Sequence, residues 1–225
     1  MSAISRRTQR LLIVGASGHA RVVADIARRM GSLEITGVCN RSGTGEFEGL
    51  PVIARDVDVP TLWRLEAFDL ACIAIGDNWS RAHAVEIITK EEPKIAFATL
   101  IHPRAVVADP ASVSEGTVVM AGAVVNPGAV IGRHAVLNTN CSVDHDCQIG
   151  GFASVSPGAA LGGNVKLGYC SFVGIGAAVN QGISMGDHTV VGSGAVVVRD
   201  LGDRLVAVGV PAREVRSREP NDRYL

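Results

Sequence analysis

Written in sixes, residues 123–164 read AVVNPG AVIGRH AVLNTN CSVDHD CQIGGF ASVSPG AALGGN. The third place of every six is aliphatic, and stepping outward extends that column without a break from Val107 to Val197, sixteen slots in all. Two residues before each slot stands a small side chain such as Ala123, Cys141, Cys147 or Ala159; the exceptions are Thr117, Val165, Ile183 and Thr189. Two residues after it the chain is mostly polar or turn-forming, as at Pro127, Arg133, His145 and Gly163. A helix cannot use a strict period of six, because 3.6 residues per turn would sweep the aliphatics around its circumference. Short strands can, since residues two apart point to one side of a strand. Three such units close a triangular coil of eighteen residues, and the coils stack about 4.8 Å apart. The frame predicts a parallel β-helix of roughly five coils.

Composition agrees and narrows the function classes. Aromatic residues make up only 4% of the 225, against 26 glycines, so the interior is filled by small aliphatics. The net charge of −1 and the lack of a basic stripe argue against a nucleic-acid partner. No apolar run reaches membrane-spanning length and no signal-like segment opens the chain, so a cytoplasmic protein with no membrane partner is expected. Five cysteines, at 39, 72, 141, 147 and 170, lack CxxC spacing and are expected as reduced thiols. Cys141 and Cys147 fall in the small-residue column and read as packing atoms. His134 and His188 lie at corner positions and read as solvated surface.

The first hundred residues alternate apolar runs with helical patterns. LLIVG (11–15), ITGVC (35–39) and LACIAIG (70–76) read as buried strands; ASGHARVVADIARRMG and SRAHAVEIITKEE read as helices stopped at Gly31 and Pro93. This wiring predicts a small Rossmann-like parallel sheet. Its first turn, Gly15-Ala16-Ser17-Gly18-His19, places free helix N–H groups where a phosphate could meet them. GASGHA lacks the third glycine of the dinucleotide fingerprint, and Val38-Cys39-Asn40-Arg41 offers no acid for a ribose diol, which argues against a nicotinamide cofactor. The expected domains are a flexible arm at 1–9, a Rossmann-like domain at 10–103, a β-helix domain at 104–212 and a tail at 213–225.

Five strings, LLIVGASGHARVVADI, CIAIGDNWSR, LIHPRAVV, VLNTNCSVDHDCQIGGFASVSPGAALGG and VAVGVPAREV, spread from residue 11 to 215. Together they resemble the hexapeptide-repeat nucleotide-sugar N-acetyltransferases of bacteria and the related sialic acid O-acetyltransferases. The resemblance implies left-handed coils, against the usual right-handed crossover, acetyl-CoA as cosubstrate without a metal, and a homotrimer with coenzyme A between neighbouring β-helices. It implies a nucleotide-linked 4-amino-deoxysugar (UDP- or GDP-) as acceptor. It places the general base on His145, its acidic partner on Asp146, and a backbone N–H for the thioester oxygen on Gly163. An imidazole suits the base because its ordinary pKa of about 6.5 lies near neutral pH. Coenzyme contacts map to Ser154, where many members have a histidine, and to Ile175, Gly192 and Ser193. The nucleotide-sugar maps to Gly15, Ser17, Gly18 and His19, with Asn40-Arg41 and Gly76-Asp77-Asn78 lining the same crevice; relatives often have an acid where Asn40 stands.

Three rivals remain open at this level. O-acetylation of a sialic acid-like sugar uses the same base. A non-catalytic ligand-binding scaffold could keep the coils and lose turnover. A metal lyase on this β-helix needs three converging histidines, and His134, His145 and His188 lack the close pair such a site requires.

Overall fold

The computed structural model describes residues 8–222 and 224. The arm expected at residues 1–9 therefore falls mostly outside the described residues, and Gln9 already belongs to the first strand. Strand β1 (Gln9–Val14) leads into helix α1 (Gly18–Met30), then β2 (Leu33–Asn40), a hairpin of β3 (Glu46–Phe47) and β4 (Leu50–Arg55), α2 (Val59–Arg64), β5 (Leu70–Ile73) and α3 (Asn78–Glu91). The sheet order is β3-β4-β2-β1-β5, parallel except for β3. The sequence reading missed β3 and β4. They lie at the sheet edge: β3 is two residues long, and β4 (LPVIAR) has a short apolar run interrupted by Pro51 that alternates half-buried with exposed residues, unlike the buried runs of the inner strands. Helix α1 buries Ala20, Val23, Ala24, Ile26 and Ala27 on one stripe and ends at Gly31 in the left-handed region.

From Leu100 onward two-residue strands recur every six residues and form three faces of a left-handed parallel β-helix. Face one runs from Val106–Val107 to Val196–Val197, face two from Ser112–Val113 to Ser184–Met185, and face three from Leu100–Ile101 through Val190–Val191 to Leu205–Val208. Successive coils pair eighteen residues apart, Val125 with Val143 and Val143 with Leu161, as the sixfold column requires. That column and the small residues two places before it form one continuous core. Every sixth residue from Gly116 to Gly194 turns the corner with φ between 54° and 77°. Seven of these fourteen corner residues are not glycine, among them His134, Asp146, Phe152 and His188. Each accepts the cost of the left-handed region because both flanking strands are pinned by coil-to-coil hydrogen bonds. Residues 213–217, expected as tail, instead form an antiparallel strand (Arg213–Ser217) against Leu205–Val208.

The small sheet docks on face three and on the corner between faces two and three. Val118, Met120 and Val136 pack with α1 and the small sheet in one core. Arg81 of α3 is the buried connector: its guanidinium donates to the carbonyls of Ile75, Gly76, His134 and Phe152, to Asn78 Oδ1 and to Ser154 Oγ. The C-terminal segment closes the seam, with Tyr224 stacked on Phe172 at 4.2 Å and its hydroxyl accepting the Asn78 N–H. This seam corrects the surface reading of two histidines. His134 is 1% exposed, stacked on Phe152 and edge-on to Phe97. Burial, with Arg133 and Arg81 nearby, drives its pKa down to about 3. His188 is half-buried against Tyr169 and its pKa is likewise lowered by burial. The sixfold frame names the corner but not what covers it.

Among the described residues no helix is long and apolar enough to cross a membrane, and no cluster of His, Cys, Asp or Glu could hold a metal ion.

Candidate active site

His145 stands at the corner between faces one and two, between the strands Ser142–Val143 and Gln148–Ile149. Its side chain is 47% exposed. Ring atom Nδ1 lies 2.9 Å from Asp146 Oδ2, and Nε2, with no protein partner among the described residues, lies beside Gly163. Hydrogen bonding to Asp146, with further attraction from Asp144 and Asp146, raises the imidazole pKa above its ordinary value, against a smaller desolvation effect. Asp144 fixes the approach: its Oδ1 accepts the His145 backbone N–H and the Asn126 amide from the coil below, each at 2.8 Å. The corner conformation of Asp146 (φ 58°) turns its carboxylate back toward the ring.

The neighbouring coils shape this dyad through two glycines eighteen residues away. A Cβ on Gly128 would overlap Asp146 Oδ1, and a Cβ on Gly163 would stand 2.6 Å from His145 Cε1 and closer still to Nε2. Glycine at 163 is thus required by the ring lying over its backbone. The Gly163 N–H donates to no other group among the described residues, and the glycine itself is buried beneath the His145 ring. The cysteines are all buried free thiols. Burial raises Cys141 to about 12 and raises Cys147 as well, so neither offers a thiolate.

The expected coenzyme residues separate. Ile175 and Ser193 lie one coil apart at the corner between faces three and one, joined by the Gly194 N–H to the Ile175 carbonyl, and both are exposed. Gly192 is buried; its N–H donates to Ala207 and its carbonyl accepts from Ala195, so its backbone is already engaged. Ser154 corrects the sequence reading more strongly. It is 3% exposed, its hydroxyl donates to Asn78 Oδ1 at 2.6 Å and accepts from Arg81, and it belongs to the seam between the domains. It is not free to touch a coenzyme.

The second part of the site is a cleft of about 660 Å³ at the carboxyl ends of β1, β2 and β4. Gly15, Ser17, Asn40 and Arg41 meet there as expected. Gly15 has φ 112°, and a Cβ would stand 2.9 Å from the Ala74 carbonyl oxygen, so the chain can pass this close to β5 only as glycine. Ser17 is the N-cap of α1, its hydroxyl makes no cap bond, and the first turn carries no acid. Hydroxyl and helix N–H groups are therefore open to an anion. Gly18 is exposed at the first position of α1. His19 turns inward against Gly76; burial and Arg81 lower its pKa to about 4. Asn40 spends its Oδ1 on Ser42 and the Gly43 N–H.

The Gly76-Asp77-Asn78 expectation shifts by one turn. Asp77 caps α3 through the Ser80 N–H, the Gly76 carbonyl accepts from Arg81, and Asn78 is 1% exposed, donating to the Cys170 and Ser171 carbonyls. Asn78 and, through Arg81, the Gly76 carbonyl belong to the seam while Asp77 caps its own helix, and the residues that follow, Trp79, Ser80 and His83, reach the cleft wall. Trp79, 37% exposed, stacks on His83 at 5.1 Å. Both also line a cavity of about 770 Å³ between α3 and the Phe152 corner. Asp56 is a further cleft residue that the sequence reading did not single out.

Residues 10–88 match the PglD N-terminal domain family. Across almost its whole length the chain is similar to solved sugar N-acetyltransferases. A mutant of perosamine N-acetyltransferase from Caulobacter crescentus, in complex with CoA and GDP-perosamine, shares 36% identity over 96% of this chain and 99% of that one, with a TM-score of 0.87. The acetyltransferase domain of PglB from Neisseria gonorrhoeae FA1090, in complex with acetyl coenzyme A, shares 35% identity over 92% and 100%, with a TM-score of 0.85. WeeI from Acinetobacter baumannii AYE, at 23% identity over 91% and 99% and a TM-score of 0.80, shares the fold.

Proposed function

Because the chain belongs to the hexapeptide-repeat nucleotide-sugar acetyltransferases and is an acetyl-CoA-dependent sugar N-acetyltransferase, we propose that it acetylates the amino group of a nucleotide-linked (UDP- or GDP-) 4-amino-deoxysugar with His145 as general base. The observation that carries this reading is the dyad itself: a half-exposed imidazole with one nitrogen held by Asp146 and the other packed where Gly163 lacks a Cβ, beside a glycine N–H with no partner among the described residues.

In this mechanism the sugar amine attacks the thioester carbonyl carbon while His145 Nε2 takes the proton that the nitrogen must lose. Asp146 holds the Nδ1–H tautomer and stabilises the imidazolium. The Gly163 N–H donates to the carbonyl oxygen as it gains charge. Collapse breaks the carbon–sulfur bond, and His145 returns its proton to the leaving thiolate, so amide and free thiol form without an acyl-enzyme. The buried thiols fit this direct attack, since no cysteine is placed to accept the acetyl group.

The cleft supplies the carrier site, with phosphate oxygens at Ser17 and the α1 amides. In one chain the dyad lies on one edge of face one and Ile175 with Ser193 on the other. A homotrimer, with coenzyme A between neighbouring β-helices, brings such edges together. The exposed apolar side chains Val106, Val130 and Val198 support that packing.

The test is an acceptor panel with acetyl-CoA, read as thiol release and product mass. UDP- and GDP-linked 4-amino-deoxysugars should gain one acetyl group. Turnover of free sialic acid without turnover of any amino sugar would replace this reading by O-acetylation.

A further inference from the structure

The loop ending β2 offers the cleft no carboxylate, and Asn40 is turned into its own loop. The only acidic side chain lining the cleft among the described residues comes from the next strand outward, where Asp56 follows β4. Two acids stand close together there and differ sharply. Asp58 pairs with Arg55 at 3.1 Å and also takes the Arg55 backbone N–H. Asp56 has no ion pair, and its Oδ1 is buried with no protein hydrogen-bond partner among the described residues. A carboxylate withdrawn from water without a donor is held at a cost that matched donors would offset. Burial accordingly raises its pKa, partly opposed by Arg41.

Position says which donors. The phosphate-accepting turn follows β1, and β4 lies two strands away in the order β4-β2-β1. That places Asp56 ~9–10 Å sideways from the phosphate loop, at two strand spacings. A nucleoside diphosphate anchored at Ser17 reaches that far with its base rather than its ribose. A carboxylate matches guanine, whose N1–H and 2-amino group are adjacent donors, once rotation of the Asp56 side chain brings its buried Oδ1 to the cleft beside Oδ2. Uracil offers one N–H between two carbonyl oxygens that a carboxylate repels.

We infer that Asp56 is the base-reading residue of the cleft and selects a guanine nucleotide, so that the acceptor is carried by GDP rather than UDP. This rests on the nucleotide-sugar reading above and narrows it.

The experiment is calorimetric binding of GDP, IDP, 2′-deoxy-GDP and UDP to the full chain and to Asp56→Asn, with coenzyme A binding and thermal melting as checks on folding. Asp58→Asn serves as the neighbouring control. The wild type should prefer GDP to IDP and UDP. Asp56→Asn should lose about 10- to 100-fold in GDP affinity, the effect of one charge-assisted hydrogen-bond pair. It should bind UDP as the wild type does, and 2′-deoxy-GDP should behave like GDP. Asp58→Asn should keep the GDP preference. Equal loss of GDP and UDP affinity in Asp56→Asn, or no loss, overturns the inference. So does a wild type that prefers UDP, although the nucleotide-sugar reading then stands. A wild type that binds coenzyme A but no nucleotide removes both.

Discussion

Replacing Gly163 by alanine isolates the geometry of the dyad from the fold. The backbone at 163 is not in the left-handed region, so alanine can adopt it without strain, and the corner turn next to it is made by Asn164. The added methyl carbon would nevertheless stand 2.6 Å from His145 Cε1, where carbon atoms pack comfortably at about 3.5 Å or more. The ring must therefore move by roughly 1 Å, and with it both Nε2 and the 2.9 Å bond to Asp146. A misplacement of that size costs on the order of 10²-fold in rate, or about 2.7 kcal/mol in activation free energy. The methyl also crowds the space beside the free N–H, which adds to the loss. The assay is steady-state acetyl transfer with both substrates saturating, alongside thermal melting and coenzyme A titration. Gly163→Ala should melt near the wild type, and kcat should fall by about 10² or more. A variant that turns over within a few-fold of wild type would refute the account of why glycine is needed there.

Further expectations follow from the same geometry. Because Asp146 raises the His145 pKa, the neutral base is depleted as pH falls through a value above the ordinary one, and the acidic limb of kcat/KM should lie there; Asp146→Asn should move that limb to lower pH, and an unmoved limb would separate the carboxylate from the base. Cys141→Ala and Cys147→Ala should keep near wild-type turnover with a modest loss of melting temperature, and mass spectrometry during turnover should show no acetylated cysteine. Arg81→Leu leaves several buried carbonyls without donors and should cost on the order of 3–5 kcal/mol, or ~10 °C in Tm; a melting curve like the wild type would remove Arg81 as the connector of the two domains.

Much of the architecture was legible because the β-helix repeats one local rule. An aliphatic every sixth residue can be buried only by stacking, so the column from Val107 to Val197 names the fold, its coil length and its core. The dyad was legible only through the resemblance, because His145 and Asp146 occupy the ordinary polar and corner slots of the repeat and are marked out by the string around them. What escaped is decided between distant segments. His134 has the spacing of an ordinary corner residue and is buried only because α3 and Phe97 cover it. Ser154 occupies an outward strand position like that of Ala160, but lies on the face that the small sheet covers. Asn78 and Trp79 are neighbours in one string; helix periodicity turns the first into the seam and the second into the cleft. Asp56 carries no local signal, and becomes interesting only when β4 is seen beside β2.

The most direct test of the central claim is the single-turnover rate of acetyl transfer to a nucleotide-linked 4-amino sugar by His145→Ala, with both substrates saturating and binding of each confirmed. The account predicts a rate lower by roughly 10²- to 10⁴-fold with binding retained. Transfer within a few-fold of the wild-type rate would contradict it and assign the proton to another group.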